Sequence, residues 1–178
     1  MKHFSIRNMV LAAMCLALCL VLPFLTGQIP EIGSKLSPMH IPVLLCGFIC
    51  GPVFGAIVGF IAPLLRFVIF GMPPFPMCVP MAFELCTYGL VSGLVWKAGR
   101  KTTAHIYRAL LVAMIAGRIV WGIVTAILLG MGESPFTWAA FWAGGFANAV
   151  PGIVLQLILI PLLVFALRKA KLTGEADT

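Results

Sequence analysis

Charged side chains are scarce in this chain, and acidic ones are the scarcest. Of 178 residues, 12 are Lys or Arg and only 5 are Asp or Glu, so charged residues make up 10% of the sequence. A soluble domain carries roughly 25% charged residues, so we predict an integral membrane protein. The basic residues are dispersed along the flanks of apolar runs, which argues against nucleic-acid binding despite a net charge of +7.

The motifs of common enzyme classes are also missing. The sequence has no Gly-Lys-Ser/Thr of a P-loop, so the chain cannot itself be an ATPase of that class. It has no Gly-x-Ser-x-Gly, His-Glu-x-x-His or Asp-rich metal motif. The six cysteines form no C-x-x-C pair, and such residues usually act as small apolar packing groups. We expect a non-catalytic protein without a cofactor or metal.

Long apolar runs fill most of the sequence, and about 20 apolar residues suffice for a helix to cross a bilayer. The predicted spans are residues 9–25, 52–70, 79–96, 109–129 and about 146–167. A further apolar segment, residues 41–50, is short and is either a sixth span or a re-entrant helix.

The positions of the basic residues favour six spans. Lys and Arg are in excess on the cytoplasmic flanks of membrane helices. Nine of them lie before the first span, between the 79–96 and 109–129 spans, or after the last span. An even number of membrane crossings must separate these three segments if all of them lie on the same side of the membrane. This condition holds only if the short segment, residues 41–50, also crosses the membrane. We therefore predict one domain over residues 1–172, a compact all-α bundle of six transmembrane helices with both termini cytoplasmic. Residues 173–178 are predicted to be a disordered tail.

Three charged residues, Arg66, Glu84 and Arg118, fall inside predicted spans. A charge near the bilayer interior costs from about 2.5 kcal/mol upward and usually faces a protein interior or a water-filled cavity. Arg66 and Glu84 lie near the outer ends of their spans, as do His40 and Asn148. Polar residues in one outer layer of an apolar bundle are typical of a small-molecule pocket. The alternative is an Arg66–Glu84 ion pair that only ties two helices together.

Arg118 lies deeper, near the middle of its predicted span. A guanidinium group suits a carboxylate or another acceptor-rich ligand, whereas the structural alternative is a clamp on backbone carbonyls. Trp121 follows three residues later on the same helix face. We therefore predict that Trp121 stacks on a ligand held by Arg118.

Small residues recur at four-residue spacing in two of the predicted helices. Gly51, Gly55 and Gly59 form a ladder that predicts close approach of helix backbones. In the first span, Ala13 and Ala17 form a smooth face that is a candidate contact for a partner membrane protein.

The chain up to about residue 172 resembles the substrate-binding S components of energy-coupling-factor (ECF) vitamin transporters. The resemblance rests on the basic start, the Ala-x-x-x-Ala of the first helix, and the segments LSPMHIPVLLCGFICGPVFGAIVGFIAPLLR, GMPPFPMCVPMAFELCTYGLVSGLVW and GRIVWGIV. It implies a subunit of a prokaryotic cell membrane that captures a B vitamin or precursor from outside. It also implies docking through Ala13 and Ala17 on a transmembrane coupling protein driven by two ABC-type ATPases.

Within that family the sequence is most similar to members for pantothenate and related small precursors. The pantothenate carboxylate would suit Arg66 or Arg118. Two other functions stay open at the level of sequence. A membrane scaffold or assembly protein would use its buried charges only to hold helices together. A stand-alone secondary transporter would use Glu84 as a proton carrier, although the sequence lacks the inverted repeats of many such proteins.

Overall fold

The computed structural model describes residues 5–25, 38–100, 102–130 and 150–169. Within these residues the chain forms six helices: α1 (Ile6–Leu25), α2 (His40–Cys50), α3 (Pro52–Phe70), α4 (Cys78–Ala98), α5 (Thr103–Gly130) and α6 (Val150–Lys169). Five of these helices are long and apolar enough to cross a membrane, and α2 is a shorter apolar helix of 11 residues. The described part of the chain is therefore all-helical and compatible with the predicted membrane bundle.

The helix boundaries follow local signals as well as hydropathy. Gly51 has a φ of 95° and separates α2 from α3, which begins with Pro52 at a position where a missing N–H costs nothing. Gly71 ends α3 in the left-handed conformation with a φ of 68°. Helix α5 begins at Thr103, six residues before the predicted apolar span, and the Thr102 hydroxyl accepts a hydrogen bond from the His105 backbone N–H at 3.4 Å. The first turns of α5 are polar and therefore lie outside the apolar run, residues 109–129, from which the span was predicted.

Helices α1, α2 and α3 meet at one end of the bundle, which we call the non-basic end. The rings of Phe24 and Phe70, at the ends of α1 and α3, lie 5.0 Å apart in an edge-to-face arrangement. The Cys19 thiol donates to the Met39 carbonyl just before α2 begins, at a sulfur–oxygen distance of 3.6 Å. Helix α2 therefore starts where α1 ends and runs in the opposite direction.

Trp96 brings four helices together at the other end, which we call the basic end. Its ring lies 5.5 Å from Phe48 of α2, 5.9 Å from His105 of α5, and 5.7 Å from the Arg168 guanidinium of α6. Consecutive described helices thus alternate in direction. Six of the eight described Lys and Arg residues lie at this end, namely Arg7, Lys97, Arg100, Arg108, Arg168 and Lys169. The cytoplasmic location of this end stays a prediction.

The short helix α2 lies in the centre of the bundle. All its residues except Ile49 are buried, and it contacts α1, α3, α4 and α6. At about 1.5 Å per residue it is about half as long as the hydrocarbon core is thick. Helix α2 is therefore a central packing element that the longer helices surround.

Glycine allows α3 and α4 to touch backbone to backbone. A β-carbon at Gly55 or Gly89 would overlap the backbone of the other residue, and one at Gly59 would overlap the Leu85 carbonyl. The close approach predicted from the glycine ladder is therefore confirmed for Gly55 and Gly59. Gly51, by contrast, serves the turn between α2 and α3.

Candidate functional site

Three of the predicted site residues come together inside the bundle, each from a different helix. Arg118 Nη1 of α5 lies 3.2 Å from Glu84 Oε1 of α4. His40 Nε2, at the start of α2, lies 3.6 Å from the same oxygen. The exposed fractions are only 2% for His40, 2% for Glu84 and 7% for Arg118. The sequence therefore places an ionisable cluster in the interior, on the side of the non-basic end where α2 begins.

Helical periodicity explains why Glu84 points inward. Pro80, Glu84, Tyr88, Ser92 and Trp96 recur every four residues along α4, and all five are buried. Residues four apart lie on the same helix face. The carboxylate of Glu84 is thus carried by the same face that packs against α2 and α5.

Tyr88 completes the cluster one turn below Glu84. Its hydroxyl interacts with both the Glu84 carboxylate and the Arg118 guanidinium, and its ring lies 5.1 Å from the His40 ring. A β-carbon at Gly117 would overlap the Tyr88 ring, so glycine at this position makes room for it beside Arg118. Tyr88 carries no charge and was therefore not predicted from the sequence, although its spacing of four residues from Glu84 was a usable signal.

Several polar atoms in this region are buried without a hydrogen-bond partner among the described protein atoms. In the cluster they are both ring nitrogens of His40 and Arg118 Nε; Glu84 Oε1 also lacks a hydrogen bond, but its ion pair with Arg118 compensates its charge. The buried hydroxyl of Thr125, seven residues or about 10 Å further along α5, is likewise without a hydrogen-bond partner. A buried polar group left unpaired costs about 1–3 kcal/mol, and most buried polar groups in proteins are paired. The unpaired atoms of His40 and Arg118 therefore favour a binding site at the cluster.

Arg66 has a different environment. The residue is 3% exposed. Its guanidinium donates from Nη1 to the Leu20 carbonyl at 2.7 Å and lies over the rings of Phe24 and Phe70 at 5.2 and 5.4 Å. Pro23 in α1 lacks an N–H and interrupts the hydrogen-bond ladder near this carbonyl. Arg66 therefore ties α3 to the last turns of α1.

These contacts differ from both structural alternatives that the sequence suggested. Glu84 pairs with Arg118 instead of Arg66. The clamp on a backbone carbonyl, considered for Arg118, is made by Arg66. The direct role of Arg66 in ligand binding stays a prediction, as no described contact joins it to the His40–Glu84–Arg118 cluster.

The other predicted site residues are placed as follows. Trp121 is partly buried on α5, one turn beyond Arg118, and its stacking role stays a prediction. Asn148 lies outside the described residues.

Helix α1 shows a buried side and an exposed side. Ala12, Cys15 and Cys19 are buried, whereas Ala13 and Ala17 are exposed on the outward face. This orientation leaves the Ala13–Ala17 face accessible to another membrane protein. Docking through it stays a prediction.

Comparison with known proteins gives one result. A family model described as the substrate-specific component of the ECF transporter matches residues 7–164, a range that reaches into all six described helices and contains the cluster. No curated protein matched the chain, and no solved structure did. The family match covers most of the sequence. The chain therefore belongs to the family of substrate-specific components of ECF transporters.

Proposed function

We propose that the chain captures a B vitamin or vitamin precursor outside a prokaryotic cell and delivers it through an ATPase-driven coupling module. Pantothenate is the first candidate on sequence resemblance. The observation that carries the proposal is the set of buried, unpartnered polar atoms around His40, Glu84 and Arg118. An apolar cavity with a few placed polar groups is the usual form of a small-molecule site.

The positions of the charges support access from outside. Basic residues favour the cytoplasmic side, so the basic end would face the cytoplasm and the non-basic end the exterior. Glu84 follows the start of α4 by six residues, which corresponds to a depth of about 9 Å. A ligand would thus reach the cluster from the outer side, and both termini would be cytoplasmic with α2 counted as a crossing.

The proposed binding residues have three different roles. His40, Glu84 and Arg118 form the polar centre of the site. Trp121 and Asn148 would complete its wall on α5 and near the start of α6. Arg66 would support the site by fixing α1 against α3, with a direct ligand contact as the alternative.

The energy for transport would come from partner subunits. The chain has no P-loop, and its family implies partnership with a coupling protein and two ABC-type ATPases. Ala13 and Ala17 present small side chains on the exposed face of α1. Small residues let helix backbones approach closely in membranes, so this face suits docking on the coupling protein.

Calorimetric titration of the purified chain in detergent tests ligand capture. The panel would contain pantothenate, riboflavin, folate, the thiamine pyrimidine precursor and a queuosine precursor. We expect nanomolar binding of one compound, and its loss in Arg118→Ala. No binding across the panel by a folded sample would favour the scaffold alternative, in which the Glu84–Arg118 and Arg66 contacts serve only to hold helices together.

Uptake measurements test the energy source. We expect cells that express the chain with its coupling module to accumulate the ligand, and cells without the ATPases to lose uptake while binding persists. Uptake that continues without the ATPases would contradict the proposal and favour a stand-alone secondary transporter.

A further inference from the structure

The charges of the cluster already balance each other. The Arg118 guanidinium lies 3.2 Å from a carboxylate that the protein itself supplies, and both groups are buried. A ligand carboxylate at this site would face Glu84, and two carboxylates at short range oppose each other's ionisation. The cluster is therefore poorly suited to an anion.

The unpartnered atoms offer a specific hydrogen-bonding pattern. His40 Nε2 faces Glu84 Oε1 at 3.6 Å, and Nδ1 on the other side of the ring is left for a ligand. A histidine ring nitrogen can accept a hydrogen bond from a ligand donor. Arg118 Nε is a donor without a hydrogen-bond partner in the described protein. The cluster thus offers a ligand a hydrogen-bond donor on α5 and a ring nitrogen on α2.

We propose that the ligand inserts an uncharged group with a neighbouring donor and acceptor into this cluster. A lactam, an amide or an amino-substituted ring nitrogen has this pattern, with its donor directed to His40 and its acceptor to Arg118. Glu84 neutralises the charge of Arg118 and thereby disfavours a carboxylate. The inference rests on the function proposed above and narrows the chemistry of its ligand. For pantothenate it means that the amide, and not the carboxylate, enters the cluster.

Matched ligand pairs test this selectivity directly. Pantothenate and pantothenyl alcohol, nicotinate and nicotinamide, and biotin and biotin amide each differ at the carboxylate, and riboflavin adds an uncharged ring lactam. Calorimetry with the full chain would measure each compound. Equal or tighter binding of the uncharged member of a binding pair, or binding of riboflavin, supports the proposal. Tighter binding of the carboxylate member overturns it while leaving ligand capture intact. No binding by these probes or by any compound of the vitamin panel overturns both proposals.

Charge variants provide the second test. Removing one charge about 6 Å from a ligand carboxylate, at an effective dielectric constant of about 20, changes affinity about a hundredfold. We expect Glu84→Gln to shift the affinity ratio of a binding pair toward the carboxylate member by about this factor. Arg118→Gln should shift the affinity ratio toward the uncharged member of the pair.

One control guards against misfolding and indirect effects. Ser92→Ala alters a buried hydroxyl one turn beyond Tyr88 on the same face of α4, hydrogen-bonded to the Gly89 carbonyl, and should leave the ratio unchanged. A ratio that is identical in wild type and in both single charge variants would overturn the proposal.

Discussion

Replacing either Glu84 or Arg118 alone should destabilise the bundle far more than replacing both residues together. At 3.2 Å, two unit charges attract each other by about 5 kcal/mol at an effective dielectric constant of about 20. Removing one partner of a buried pair typically costs about 3–5 kcal/mol, because the other charge is left uncompensated. Replacing both by apolar residues is often close to neutral.

We therefore expect Glu84→Met and Arg118→Met each to lower the free energy of unfolding by about 3–5 kcal/mol. The double variant should lose clearly less free energy of unfolding than the sum of the two single losses. Equilibrium unfolding in mixed detergent micelles, followed by circular dichroism, would give the coupling energy of the cycle.

Arg66→Met is the matched control, because Arg66 is also a buried arginine but has no described contact with Glu84. Its effect should add to that of Glu84→Met within about 0.5 kcal/mol. Additive effects in the Glu84–Arg118 cycle would refute the reasoning. So would strong coupling in the Arg66–Glu84 cycle.

Three further variants test other parts of the bundle. Ala13→Trp should block docking on the coupling protein and uptake while ligand binding survives, and Ile158→Trp on the exposed face of α6 is its control; equal loss of binding and docking would mean that Ala13 only packs the bundle. Gly89→Val should cost about 3 kcal/mol or more, measured by thermal unfolding, because its side chain overlaps Gly55; an unchanged midpoint would contradict the close approach. Arg66→Gln should cost about 1–3 kcal/mol and increase hydrogen exchange at the end of α1, and unaltered exchange would exclude the clamp.

The sequence predicted the helices better than their ends. All five long spans correspond to described helices, because continuous apolar runs are a direct signal of membrane insertion. The start of α5 at Thr103 was missed, since its first turns carry polar residues that hydropathy excludes. Helix α2 is too short to be recognised as a span by length. Its crossing of the membrane, which only the distribution of basic residues predicts, stays a prediction.

The pairing inside the site was harder to predict. Depths counted from the outer ends of the helices placed Glu84 and Arg118 in different layers. Counted from the basic end, Glu84 lies 14 residues before Ala98 and Arg118 lies 15 residues after Thr103. The two residues are therefore level, and α5 simply extends further at the other end. The helix lengths needed for this comparison were not available from the apolar runs.

The buried hydroxyl of Thr125 was missed for another reason. Thr125 is an ordinary residue in an apolar helix and carries no charge that would mark it. Its burial on the same side as Arg118 depends on how α5 is rotated against its neighbours. Sequence alone gives the period of a helix but not which of its faces meets α2 or α4.

Glu84 and Arg118 lie on consecutive helices, so they enter the membrane on one helical hairpin during synthesis. Each charge alone would cost about 2.5 kcal/mol or more to place at the centre of the bilayer. Because the two are level and 3.2 Å apart in the folded chain, the hairpin of α4 and α5 can enter the membrane with its two interior charges already paired. Either helix made without the other would insert less efficiently.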